Sequence, residues 1–201
     1  MDVLGRSEGL LKKQDEIELS GRRAFLARTL GVTAGLVGAT AAAGTFAAPA
    51  SAKPAGAQAT QSSWGFCTKC FAMHFWGYKP NYGVCPAGGG HTAQGYNFTL
   101  LHSQSETSTA QANWRFCAKC FAMFFWGYPT DGVCSAGGAH SAQGFNFVLP
   151  HDVPANAYSQ SNWRFCEKCF AMFFWGYPTD GVCSAGGAHR AQGFNFVLPH
   201  L

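Results

Sequence analysis

A threefold repeat with an odd number of thiols limits what this chain can become. Nearly the same segment restarts at Cys67, Cys117 and Cys166, a period of about 49 residues that marks tandem modules, and each copy holds three cysteines and one histidine close behind a Gly-Gly pair. Three thiols cannot all be satisfied by disulfides within one copy. A copy of about 38 residues is also below the size at which an apolar core alone usually sustains a fold, so a staple of some kind is expected.

Each copy reads C-x2-C, then 14 residues in the first and 13 in the others, then C-x5-H. A C-x2-C turn can curl two sulfurs around one ion, and three thiolates with one imidazole complete a closed tetrahedral shell suited to structural Zn²⁺. The candidate ligand sets are Cys67, Cys70, Cys85 and His91; Cys117, Cys120, Cys134 and His140; and Cys166, Cys169, Cys183 and His189. Three structural zinc ions are the expected cofactors, each worth roughly 10–16 kcal/mol in finger-sized peptides. Two alternatives stay open. His151, with its counterparts His102 and His200, also recurs and could be the fourth ligand in place of His140; and an exported C-x2-C pair could oxidise to a disulfide. Phe121 stands where a haem-binding C-x-x-C-H needs histidine, and no βαβ pattern supports a thioredoxin-like site. Lys119 either offsets the negative charge of the thiolates or is a solvated lysine. The lone His74 reads as an exposed or stacking residue.

The fold class expected is all-β: three tandem, small, metal-stapled antiparallel modules, with a single β-trefoil as the alternative and helix only in a signal peptide. Module 1 covers residues 64–102, module 2 residues 114–151 and module 3 residues 163–201. Polar stretches at 103–113 and 152–162 read as linkers, which favours separate beads. Within module 2 four extended stretches are expected, Trp114–Cys117, Ala122–Tyr128, Gly132–Cys134 and Phe145–Leu149, the last with its odd-numbered residues on a buried face. Pro129 to Gly132 fits a tight turn.

Residues 1–52 read as a signal peptide: a polar start, an uncharged Ala/Gly/Val/Leu run from Thr29 to Ala47, and a small-residue site with cleavage after Ala52. Residues 53–63 would then be a mobile mature N-terminus. Gly21, Arg22, Arg23, Ala24, Phe25 and Leu26 resemble a twin-arginine signal, with Arg22 and Arg23 as its central pair and Gly21 and Ala27 departing from the pattern. That resemblance implies export of a protein folded in the cytoplasm, where metal ligation is favoured over disulfides. It places the chain outside the cell or in its envelope, with no membrane span after signal removal. From Lys53 onward eight Lys and Arg face five acids, a net of +3 (8 minus 5) without a cluster, which excludes a nucleic-acid footprint.

The aromatic runs Phe124–Tyr128 and Phe173–Tyr177 must turn one face away from a small core. They pack between modules or form platforms for a sugar or peptide, with Trp76, Tyr78, Trp126, Tyr128, Trp175 and Tyr177 as ligand-binding candidates and Gln143, Asn146 and Asp131 as hydrogen-bonding partners. The module resembles zinc-ribbon-like Cys/His units, though Phe121 stands where knuckles usually have glycine. Its Trp, C-x-K-C, Phe-Phe, Gly-Val-Cys and Ala-Gly-Gly-x-His segments, over residues 64–200, also resemble a tandem Cys-rich repeat of secreted bacterial proteins. The function expected is a secreted, non-catalytic repeat protein that binds a glycan or cell-wall ligand. The alternatives are an envelope metal-buffering or thiol-redox protein, and a metal-dependent enzyme. No Ser-His-Asp or H-E-x-x-H pattern supports the enzyme, and no catalytic residue is assigned.

Overall fold

The computed structural model describes residues 58–201; the signal-peptide reading, with Arg22 and Arg23, lies outside them. The described residues contain nine strands and no helix, and hence no helix long and apolar enough to cross a membrane. Each module is one antiparallel three-stranded sheet. Strands β1 (Thr60–Cys67), β2 (Met73–Phe75) and β3 (Ala93–Leu101) pair in the order β2-β1-β3. Module 2 repeats this with β4 (Ala110–Cys117), β5 (Met123–Phe125) and β6 (Ala142–Pro150), and module 3 with β7 (Ser159–Cys166), β8 (Met172–Phe174) and β9 (Ala191–Pro199).

Three strands form per module where four extended stretches were expected. Gly132–Cys134 lies outside any strand, because Gly132 takes a left-handed φ of 66° and the segment turns toward the next module instead of joining its own sheet. The central strands begin earlier than the aromatic signal suggested, within the polar stretches read as linkers. In β4, Gln111 accepts a hydrogen bond from the Trp114 indole Nε1–H at 3.1 Å, so a polar residue belongs to the buried ladder. Each central strand bulges one residue before its tryptophan, at Ser63, Asn113 and Asn162, all with positive φ. Asn97, Asn146 and Asn195 accept the backbone N–H freed there at 2.8–2.9 Å. Asn146, read as a ligand-facing amide, is thus engaged in holding its own sheet. The expected alternation in β6 also gives way: Phe147, Val148 and Leu149 are all buried, while Phe145 lies on the rim.

The three ladders are separate, yet the modules do not behave as beads. Trp64, Trp114 and Trp163 are fully buried in one apolar cluster with Phe98, Phe147 and Phe196. The Trp64 ring meets Phe147 edge-on at 5.2 Å, Trp114 meets Phe196 at 5.0 Å and Trp163 meets Phe98 at 5.1 Å, so each module fills the core of another in cyclic order. Single β-bridges close the same cycle, His74 to Ala122, Phe124 to Ala171 and Phe173 to Ala72. A module this small gains its core by sharing it.

The second recurring histidine seals the opposite rim. His102 stacks on Phe145 at 3.8 Å, His151 on Phe194 at 3.7 Å and His200 on Tyr96 at 3.6 Å, each across a module boundary.

Candidate metal centres

In every module the end of the central strand runs into a C-x2-C turn in which the residue after the second cysteine folds back. The Phe121 N–H donates to the Cys117 carbonyl at 2.9 Å and the Cys117 N–H to the Ala122 carbonyl at 3.0 Å. Phe71, Phe121 and Phe170 take φ of 67–68°, the left-handed conformation that glycine supplies in knuckles. The aromatic ring at this position is used at the module seam: Phe121 lies 5.3 Å from Phe116 and 5.6 Å from Tyr78 of module 1.

The loop beyond the turn returns the third cysteine and the histidine. Its Gly-Gly bend lets the Cys134 N–H donate to the Gly138 carbonyl at 2.8 Å. Lys119 donates its Nζ–H to the Gly137 carbonyl, and Lys69 and Lys168 make the same bond to Gly88 and Gly186. The lysine beside the ligands therefore ties the loop that carries the last two of them.

The result is three buried Cys3His groups, with the ligand atoms of each within 4.8 Å of one another. The members are those expected, Cys67, Cys70, Cys85 and His91; Cys117, Cys120, Cys134 and His140; and Cys166, Cys169, Cys183 and His189. The geometry separates the two histidine readings, since His140 joins the thiols and His151 stacks on Phe194 with Asp152 accepting from its Nδ1 at 3.1 Å. Cys117 and Cys134 place their sulfurs 3.8 Å apart, and Cys120 Sγ lies 3.5 Å from His140 Nδ1. Tetrahedral Zn–S and Zn–N bonds of about 2.3 and 2.0 Å give edges of about 3.8 and 3.5 Å. The other two groups repeat these distances at 3.9 and 3.5 Å. The residues present fit a tetrahedral ion.

The protonation chemistry of the donor set also favours a cation. Hydrogen bonds that it donates to the Cys117 and Cys134 thiolates, with burial, hold the Cys120 thiol far above its usual range. The same Cys120 thiol, donating, lowers Cys117 to about 3 and Cys134 to about 5, each against the opposing effect of burial. Burial pulls His140 down, but hydrogen bonds to Cys117 and Cys134 and their negative charge raise it to about 9. In modules 1 and 3 the C-x2-C pair behaves as in module 2, with Cys67 and Cys166 lowered and Cys70 and Cys169 raised. Protons thus stand in among crowded thiolates where a dication would relieve the repulsion.

Sequence reasoning missed the groups around the ligands. Backbone N–H groups of Thr92, Ser141 and Arg190 donate to the sulfurs of Cys67, Cys117 and Cys166 at 3.4–3.5 Å. The ring of His140 lies on Phe124 and that of His189 on Phe173, both 4.6 Å between centroids, while His91 lies on His74 at the same distance. His74 stacks, as one reading held, but is wholly buried.

The aromatic candidates divide. Tyr78, Trp126, Tyr128 and Tyr177 are exposed, Trp76 is half-buried and Trp175 is buried, only 7% exposed. Cations already sit over the indoles, Lys79 on Trp76 at 4.4 Å, Arg115 on Trp126 at 5.0 Å and Arg164 on Trp175 at 5.2 Å. The tyrosines pack across seams, as with Tyr128, whose ring lies tilted 5.8 Å from Phe165 and 5.4 Å from Phe170. Both readings of the aromatic run therefore find rings: some pack between modules and some face solvent.

No protein-family model, no curated protein and no solved structure matches the chain. The sites rest on their own geometry, that of a repeat protein with three buried Cys3His groups that could hold metal ions.

Proposed function

We propose that the chain is an exported, non-catalytic repeat protein whose three modules are each closed by a structural zinc ion. The observation that carries this reading is the donor set itself: three sulfurs and one imidazole nitrogen, buried and spaced at tetrahedral edges, in three copies. Four protein ligands fill the shell of a zinc ion and leave no position for a reacting water, which separates structural from catalytic sites. Zinc would neutralise the thiolates and fix the loops that carry them. Export rests on the resemblance of the first 52 residues to a twin-arginine signal, and it agrees with thiols that meet metal before they meet an oxidant.

Elemental analysis of protein purified without chelator or reductant should return three zinc ions per chain. X-ray absorption should show about three sulfurs near 2.3 Å and one nitrogen near 2.0 Å around each. Metal-free protein with oxidised C-x2-C pairs would instead identify a thiol-redox protein.

The exposed rings support a glycan as the ligand class. Tyr78, Tyr128 and Tyr177 stand at equivalent positions, 38–55% exposed, and flat rings of this kind stack on sugar faces. A glycan array probed with the exported chain tests this, with Y78A, Y128A and Y177A expected to lose binding in steps.

A further inference from the structure

The fourth ligand of each site is held by the next module. A backbone carbonyl can only accept, so the His91 Nε2–H donates to the Cys120 carbonyl, at 3.1 Å, and Nδ1 is the nitrogen turned toward the sulfurs. His140 donates in the same way to Cys169 at 3.0 Å, and His189 to Cys70 at 3.1 Å across 119 residues of chain. Each acceptor is the carbonyl of the second cysteine in a C-x2-C turn. The three bonds therefore run from site 1 to site 2, from site 2 to site 3 and from site 3 back to site 1.

The seam around each bond is tight. A Cβ at Gly83 would overlap the Cys120 carbonyl, one at Gly132 the Cys169 carbonyl and one at Gly181 the Cys70 carbonyl. All three glycines hold φ near 67°, where a side chain is strained in any case. The Val84 N–H adds a hydrogen bond at 3.3 Å to the carbonyl that His91 uses. The ligand loop of one module is thus docked on the ligand turn of the next.

From this arrangement we infer that the three sites load zinc cooperatively, with the histidine-to-carbonyl bonds as the coupling element. The inference rests on the zinc reading above and adds how the sites communicate. A C-x2-C turn wrapped around its ion presents its second carbonyl in a fixed direction, and that carbonyl orients the imidazole that must complete the preceding site. Ligation at Nδ1 in turn strengthens Nε2–H as a donor, as outer-shell partners of metal-bound histidines do. Because coupling between binding events is reciprocal, each filled site favours both of its neighbours. The ring has no end, so no site is left without a partner on either side.

Native mass spectrometry of the full chain, titrated with Zn²⁺ against a chelator of matched affinity, reads the coupling as a distribution of zinc counts. The expected result is a population dominated by zero and three ions. After statistical correction the third ion should bind about 5–150 times more tightly than the first. The variant G132A leaves all twelve donors in place and sets a Cβ 2.4 Å from the Cys169 carbonyl, which displaces the acceptor of the His140 Nε2–H. It should still take three ions, with the one-ion and two-ion species rising because one of the three links is cut. A binomial distribution in the unaltered chain would overturn the inference and leave the zinc reading intact. An all-or-none distribution that G132A leaves unchanged would move the coupling into the shared core and overturn the role given to the histidines. A chain that holds no zinc at any ratio sinks both readings together.

Discussion

Module 1 and its two near-identical successors hold their candidate ligands in the same way and differ in what lies beneath the ligand histidine. His140 and His189 rest on the phenyl rings of Phe124 and Phe173, which have no polar atom to satisfy. His91 rests on His74, fully buried, whose two ring nitrogens have no close hydrogen-bond partner and feel the backbone of Ala72 and Gly65 only weakly. Burial, with the charge of His91 second, lowers His74 to a pKa of about 4, so the buried ring is neutral at ordinary pH. A second difference runs the same way: Thr99 has a buried hydroxyl without a partner where modules 2 and 3 have Val148 and Val197. The copies agree to within about 0.1 Å on ligand spacing and diverge in the packing that surrounds it. A tetrahedral metal shell, with its single solution, would admit no drift in ligand geometry. Packing beneath it can lose a few kcal/mol if the ion supplies roughly 10 or more.

The largest expected effect tests whether the three sites are equivalent at all. C70S and C120S each remove a ligand that lies 3.5 Å from its histidine. Either should abolish the cooperative thermal transition followed by circular dichroism, because on the proposed zinc reading the ion's loss, roughly 10–16 kcal/mol, matches or exceeds the net stability of a typical domain. A C70S protein that melts as sharply as the unaltered chain, beside a C120S protein that does not, would show that module 1 has ceased to depend on metal.

Next in size is an exchange of the residue under the ligand. F124H should cost about 3–5 kcal/mol, since it removes buried phenyl contacts and buries two polar nitrogens. H74F should gain about 1–3 kcal/mol by removing the same two nitrogens from module 1. Urea denaturation of the metal-loaded proteins measures both. A destabilising H74F would mean that His74 has a role toward site 1 that a phenyl cannot fill.

What could be read ahead of the structure follows from where the information sits. The twelve candidate ligands were legible because cysteine and histidine side chains carry the signal themselves, and a count of three thiols per copy leaves at least one without an internal disulfide partner. The all-β class was legible from glycine, aromatic residues and the lack of helical period. Spacing could not separate His140 from His151, since both recur with the repeat; the fold brings His140 to the thiols of its own module and seats His151 on the Phe194 ring of the next. The Cys70, Cys120 and Cys169 carbonyls could not be found at all, because a backbone acceptor has no residue signature. The polar start of β4 misled for a related reason: Gln111 looks like linker until the indole it accepts from is in place.

A smaller effect isolates the second buried difference. T99V replaces a hydroxyl whose oxygen is buried and unpartnered with the methyl found in Val148 and Val197. It should stabilise module 1 by about 1 kcal/mol, seen as a shift of the urea midpoint without a change of slope. The reverse substitution V148T should cost a similar amount, and a neutral outcome for both would remove Thr99 from the contrast between modules.

The smallest effect concerns a difference at the surface that has been compensated. In modules 2 and 3 the strand residues Arg115 and Arg164 cover Trp126 and Trp175. Module 1 has Gly65 at that strand position and draws its cation from the divergent turn instead, with Lys79 4.4 Å over Trp76. K79A should therefore cost about 0.5–1 kcal/mol, the worth of an exposed cation–π contact. R115A should cost slightly more, because Arg115 also donates to the Gly144 carbonyl at 3.4 Å. Adding G65R to K79A should not restore the loss. A Cβ at residue 65 would stand 3.0 Å from Trp76 Cδ1 and 3.3 Å from the Ala93 side chain, so the indole has settled into the space that an arginine stem would need. Full restoration by G65R would show that the strand and the turn supply interchangeable cations, and that the divergent turn of module 1 is not tied to the glycine.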